Sequence, residues 1–361
     1  MPAMAQTPPS ASADPAVQLA QAAAKAQQSG DFQTAIDDYR KALGLRPEML
    51  PARIELGAVL AAAGQFDAAI EEDTRVLEAA PDALPAQINL ATAWYRKGNL
   101  GRARMQFESI HAAHPDNVSA AIGLAYIYIK LQRNADAVDV LAPIEAANSK
   151  NLDFEYVLAY ALILSGKDAE GLTRMESVAA ARGSADAWMI AASTLFQKRQ
   201  FSKADDDANR AIALNPAIAG AKTLAGQADY ALGDKEKAAA EFQIALRQDP
   251  RDFTANLYLG IIRSDQRDFD TARPLLELAV EISPTHPLAR LELAKVNAMT
   301  GHYDDAVQTL ESLEKSDPDW IEPHIQLATL YYKVHRPDDG QRERQIVQQL
   351  EDRQQKAGPQ K

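Results

Sequence analysis

The stretch Leu84–Asn117, LPAQINLATAWYRKGNLGRARMQFESIHAAHPDN, sets the pattern of the whole chain. It holds two runs with large apolar residues three and four apart, the spacing of one helix face. Gly98 separates the runs and Pro115 closes the second. The small residues Ala91 and Ala103 and the large residues Leu90, Trp94 and Phe107 recur elsewhere at a step of 34 residues. A fixed step of that size marks a helical solenoid, a binding scaffold rather than a globular enzyme.

Working outward, ten units begin at Ala16, Leu50, Leu84, Val118, Leu152, Ala185, Ala219, Phe253, Pro287 and Ile321, and only the fifth is one residue short. Position 8 of each reads Ala23, Gly57, Ala91, Ala125, Ala159, Ala192, Gly226, Gly260, Ala294 and Ala328. Position 20 reads Ala35, Ala69, Ala103, Ala137, Gly171, Ala204, Ala238, Ala272, Ala306 and Gly340. Where two helices cross, a side chain beyond Cβ would hold the axes apart, so both crossing points must be small. Position 7 supplies filler such as Leu56, Leu124 and Leu259, and position 24 adds Tyr39, Phe107, Leu141, Met175, Phe242, Leu276 and Leu310. Gly30, Gly64, Gly98, Gly166, Gly233 and Gly301 fall between the helices, where a helix end calls for positive φ. Prolines such as Pro47, Pro81 and Pro115 stop the second helix. Ser149 and Gly183 replace that proline in the fourth and fifth units, which makes this junction the expected place of irregularity.

These columns, with aromatic Trp94 and Tyr128, resemble the tetratricopeptide repeat family from about Ala16 to Glu351. The resemblance implies an all-α, right-handed superhelical solenoid of about ten antiparallel helix pairs, the first helix of each pair lining a concave groove. The first unit, with Ala22 and Ala26 for large residues, reads as a partial N-terminal cap. Residues 16–351 form the expected solenoid, flanked by an Ala/Pro/Ser-rich tail over 1–15 and a polar tail over 352–361. The polar run Gln341–Glu351 fits a solvating cap at the C-terminal end.

Hydrophobic residues make up 47% of the chain but aromatics only 6%, so much of the apolar content is alanine, which suits close-packed helices. A net charge of −12 with no cluster of Lys and Arg argues against a nucleic-acid or anionic-membrane surface. The absence of cysteine excludes disulfides, thiolate metal sites and cysteine nucleophiles. The longest apolar run, Val157–Leu164, is far short of the roughly 20 residues of a membrane helix. Ala3-Met4-Ala5 before Gln6 resembles the end of a signal peptide whose start lies upstream. It points to a periplasmic or secreted chain of the cell envelope, with a cytoplasmic location as the alternative.

No catalytic constellation stands out. Ser165-Gly166-Lys167-Asp168 lacks the upstream glycine of a phosphate loop, Ala161 standing there, and falls at a repeat turn. His111 and His114 lack a supporting third ligand, so no metal and no cofactor are expected. Asp205-Asp206-Asp207 opens a second helix, where the helix dipole favours carboxylates.

Function is therefore expected on the concave face. The resemblance draws that face from positions 2, 5, 9, 12 and 13, which here include Tyr95, Tyr126, Ile129, Tyr156, Tyr160 and Ile163, then Met189, Phe196, Tyr230, Leu257 and Ile261. Tyr156, Tyr160 and Ile163 share one helix face. Tyrosine offers large area, few rotatable bonds and one hydroxyl, which suits a contact surface. The expectation is a non-enzymatic scaffold or adaptor that takes a protein or peptide segment with apolar anchors. The alternative is a substrate-recruiting subunit of an enzyme whose catalytic chain is separate, and self-association through exposed apolar surface is open. A groove that grips a C-terminal carboxylate is not expected, since Asn89 stands without lysine partners.

Overall fold

The computed structural model describes residues 14–357, and all regular structure among them is helical. The Ala3-Met4-Ala5 reading lies outside the described residues. The chain divides after Val178 into two compact units.

The first unit contains α1 (Pro15–Gln28), α2 (Phe32–Leu45), α3 (Leu50–Ala62), α4 (Phe66–Ala79), α5 (Leu84–Arg96) and α6 (Leu100–Ala113). It continues with α7 (Val118–Lys130), α8 (Asn134–Leu141), the short α9 (Glu145–Asn148) and α10 (Leu152–Leu164). The helix α11 (Asp168–Arg182) carries the chain past the division. The second unit contains α12 (Ala185–Gln197), α13 (Phe201–Leu214), α14 (Ala221–Leu232), α15 (Lys235–Gln248) and α16 (Phe253–Asp265). It ends with α17 (Phe269–Ile282), α18 (Pro287–Met299), α19 (Tyr303–Ser316), α20 (Ile321–Lys333) and α21 (Pro337–Ala357).

Consecutive helices pack in pairs within each unit. The reason lies in the two small columns: every residue at positions 8 and 20, from Ala23 and Ala35 to Ala328 and Gly340, is buried. At Gly226 an added Cβ would come within 2.8 Å of the Phe242 ring, and at Gly260 within 2.7 Å of Leu276 Cγ. The crossing leaves no room even for a methyl group there, and position 24 fills the space above it. Cores built this way include Tyr39, Leu56 and Leu60 in α2 and α3, and Phe107, Leu124, Leu141 and Leu158 further along the first unit. In the second unit Phe242, Ile262 and Leu276 play the same part.

The turn between paired helices repeats with one geometry. The six glycines at position 15 all have positive φ, from 78° at Gly64 to 89° at Gly233. In the four remaining units the same position holds Gln132, Arg199, Arg267 and His335, each at φ 59–60°. The residue that follows donates its N–H to the carbonyl five residues back at 2.8–3.0 Å, as in Asn99 to Trp94 and Gln200 to Leu195. This left-handed cap satisfies carbonyls that the first helix would otherwise leave open.

Two boundaries depart from the sequence reading. The expected irregularity at Ser149 and Gly183 appears earlier, where α8 stops at Leu141 and a 3₁₀ turn over Ala142–Ile144 precedes α9. Pro143 sits in that turn; it has no N–H to continue the ladder. The terminal helix also runs to Ala357, beyond the expected end at Glu351.

Candidate partner-binding surface

In the first unit, α5, α7 and α10 are the leading helices of three successive pairs and present their exposed faces in register. Tyr95, Tyr126, Ile129, Tyr156, Tyr160 and Ile163 are all half-buried, with one side of each packed down. Tyr95, Tyr126, Ile129 and Tyr156 rest on the core formed by Phe107, Leu124, Phe154 and Leu158. A cleft of about 720 Å³ opens between Tyr95, Tyr126, Ile129, Lys130, Gln132, Asn134, Tyr160 and Leu164. A second cleft of about 390 Å³ takes Ile88, Thr92, Arg96, Ser119, Ile122, Asp153 and Val157 together with Tyr95 and Tyr126. The two share those tyrosines and form one trough.

Gly123 and Phe107 also line the smaller cleft. A Cβ at position 123 would fall 2.5 Å from Phe107 Cζ, so the glycine lets an otherwise buried ring approach the floor. Sequence reasoning missed Gly123 because no column of the repeat requires a small residue there. At the far end, Asn134 Nδ2 donates to the Leu164 carbonyl at 3.0 Å and ties the start of α8 to the end of α10. Burial pushes the Tyr95 phenol above its ordinary range, against a weaker pull from Arg96. The hydroxyl therefore stays a proton donor through physiological pH. Arg96, Lys130 and Asp153 are exposed, so the tyrosine-lined trough carries charge of both signs along its edge.

The second unit divides its expected surface residues. Met189 and Phe196 are half-buried on a core that includes Ala192 and Leu224, and Phe196 meets the Phe201 ring edge-on at 5.3 Å. Tyr230 is half-buried, packed edge-on against Tyr258 at 4.9 Å, and its phenol is raised chiefly by burial. Leu257 and Ile261 lie elsewhere. They are 2% and 8% exposed inside a core with Ala272, Leu276 and Val296, and offer almost no surface to a partner. Their columns face the groove only when the neighbouring helix leaves them uncovered, and here it covers them.

The remaining sequence candidates fall into structural roles. Ser165 caps α10 and Gly166 takes the left-handed turn conformation at φ 84°, which accounts for that glycine-lysine pair without a phosphate. Asp205 meets Lys237 at 2.6 Å, Lys237 also reaches Asp229 at 2.8 Å, and Asp207 pairs with Arg210 at 2.8 Å. The acidic run is thus held by neighbouring cations. Asn89 Nδ2 donates to the Ile54 carbonyl at 3.1 Å, so this amide bridges α5 to α3. Among the described residues no helix is long and apolar enough to cross a membrane.

Comparison with known proteins agrees with the paired-helix fold. One tetratricopeptide repeat family model matches residues 26–90, 95–159 and 264–331, and a second matches 65–117 and 223–287. The anaphase-promoting complex subunit 3 of Schizosaccharomyces pombe is 27% identical over 192 residues, 42% of this chain and 28% of that protein. The cell division cycle protein 27 homolog of Caenorhabditis elegans is 32% identical over 106 residues, 29% of this chain and 14% of that protein. The chain thus spans less than a third of either relative. The crystal structure of the APC/C hetero-tetramer Cut9-Hcn1 superposes with a TM-score of 0.53 at 16% identity, covering 73% of this chain and 52% of that one. With two family models recurring along the sequence and the paired helices they describe present in both units, the chain belongs to the tetratricopeptide repeat family.

Proposed function

We propose that the chain is a non-catalytic scaffold or adaptor that takes an apolar-anchored segment of a partner protein into the trough on α5, α7 and α10. The observation that carries this reading is the continuity of two clefts through Tyr95 and Tyr126. A trough of this kind suits a helical or extended segment: aromatic floors supply area, and the charged edge sets register. Met189, Phe196 and Tyr230, each half-buried, offer the second unit an apolar surface for the same class of partner.

The test is peptide selection from a displayed library against the purified chain, followed by affinity measurement. The double variant Tyr126→Lys/Tyr160→Lys is expected to lose at least tenfold in affinity with unchanged helicity by circular dichroism. Equal affinity in the variant would reduce these tyrosines to packing and sink the reading. Sedimentation of the chain alone separates a foreign segment from a second copy as occupant.

The reading as a recruiting subunit of a larger enzyme complex is favoured by one observation: a relative is by name a subunit of the anaphase-promoting complex. Co-purification of a stable catalytic partner would select it. A cell-envelope location rests on Ala3-Met4-Ala5, and an intact Met1 on the mature protein would overturn it.

A further inference from the structure

The last repeat contains a buried cluster that other repeats complete differently. Positions 4 and 23 of a unit face each other across its helix pair, and they hold Arg53 with Glu72 at 2.5 Å and Lys222 with Glu241 at 2.7 Å. In the fifth unit Glu155 and Arg174 occupy these positions at 2.9 Å, and Glu145 of the preceding repeat joins Arg174. There a guanidinium, permanently charged, neutralises carboxylates from two helices.

In the tenth unit positions 4 and 23 hold His324 and Glu343, on α20 and α21, and Glu314 of α19 stands at position 28 of the preceding repeat, as Glu145 does in the fourth. His324 and Glu343 are buried at 2% and 4% exposure, and Glu314 is half-buried. His324 Nε2 lies 3.0 Å from the Pro318 carbonyl, so that nitrogen carries the hydrogen. Its Nδ1 lies 2.6 Å from Glu343 Oε2. Two bare lone pairs cannot sit that close, so a proton lies between them, and a metal would bind Nδ1 only once Glu343 has moved aside. No Arg or Lys fills the role here, and Glu314 adds a second carboxylate.

We propose that Glu314, His324 and Glu343 bind a divalent transition-metal ion such as zinc, which fastens the terminal helix to the two before it. The three donor atoms already lie within 4.8 Å of one another. Zinc bonds of about 2.0–2.2 Å to nitrogen and oxygen need only a modest closure, which rotation of the half-buried Glu314 supplies. An imidazole with its second N–H fixed on a backbone carbonyl is the orientation that metal-bound histidines adopt. One imidazole and two carboxylates suit a first-row divalent ion. Glu343 would swing from its hydrogen bond to Nδ1 onto the metal, and water completes the coordination.

The test uses the full chain after treatment with a chelator. Isothermal titration with Zn2+ is expected to show one equivalent bound, and Co2+ is expected to give the visible absorption of a tetrahedral site. Glu314→Gln and His324→Gln should each weaken binding at least tenfold, and Zn2+ should raise the melting temperature of wild type but of neither variant. Glu314 is half-buried and glutamine matches its shape, so Glu314→Gln keeps the fold and keeps the test decisive even if His324→Gln loosens the helix. Absence of stoichiometric binding, or binding that both substitutions leave intact, would overturn the proposal and leave a proton as the cation of this cluster.

Discussion

The second and eighth repeats make the same backbone crossing and fill it with opposite chemistry. Each puts glycine at position 8, Gly57 in α3 and Gly260 in α16. An added Cβ would fall 2.5 Å from Asp73 Oδ1 in one and 2.7 Å from Leu276 Cγ in the other. Leu276 is fully buried among apolar neighbours. Asp73 is equally buried, and neither of its oxygens has a hydrogen-bond partner among the described residues. Burial pushes its carboxyl up to about 7, the nearby Asn89 amide offsetting part and Glu72 adding a little. The comparison teaches that the small column alone sets the crossing: the helices come together whether the filler is oily or acidic. What the filler changes is the free energy of the unit and its response to pH.

Moving the acid is expected to have the largest effect. Leu276→Asp should destabilise the eighth repeat by about 3–5 kcal/mol at neutral pH, since it buries a carboxylate without a partner and opens a void. The reverse change, Asp73→Leu, should stabilise the second repeat. The sign follows from linkage: a carboxyl that titrates near 7 in the fold and near 3.8 in the unfolded chain binds its proton more tightly when folded. The penalty is absent below about pH 4, grows as pH rises and is complete above 7, about 4 kcal/mol in all. Urea unfolding should therefore show wild type losing stability between pH 5 and 8 and Asp73→Leu nearly flat over that range. A variant that loses stability at both pH values would mean that Asp73 holds a partner in solution. Because repeat arrays melt in parts, amide exchange in α3–α5 is the cleaner readout.

A smaller change sharpens the same contrast. Gly260→Ala must displace Leu276 at its branch point and should cost about 1–3 kcal/mol. Gly57→Ala meets only the carboxyl end of Asp73, which loses no apolar packing when it turns aside, and should cost less. Equal losses at the two sites would show that the backbones, not the fillers, resist the methyl group.

The repeat frame was legible because it is a steric rule applied ten times, and sterics need no knowledge of neighbours beyond the unit. Positions 8 and 20 are buried throughout, and the turn at position 15 is left-handed even where no glycine announces it. The surface was less legible, since exposure depends on what the adjoining helix covers. Tyr126 and Tyr160 stay half open, whereas Leu257 and Ile261, in the same columns as other groove residues, are covered. Glu314, His324 and Glu343 come from three helices and match no local motif, so only comparison of positions 4, 23 and 28 across repeats picks them out. Asp73 was visible as an exception at position 24, but its lack of a partner was not.

The smallest effect belongs to the turn at position 15. A non-glycine residue in the left-handed region costs about 1–2 kcal/mol, and glycine there gives back part of the gain through the freedom of the unfolded chain. Arg199→Gly should therefore stabilise its turn by roughly 0.5–1 kcal/mol. Gly98→Ala should destabilise its own by about 1 kcal/mol, although an added Cβ meets nothing within 4 Å. Both changes act on one hydrogen bond, Gln200 N–H to Leu195 at 2.9 Å and Asn99 N–H to Trp94 at 2.9 Å. Exchange of those two amides reads the effect locally, slower for Gln200 and faster for Asn99. Unchanged exchange in Gly98→Ala would mean that the hydrogen bond closing the turn, and not the left-handed backbone, decides its stability.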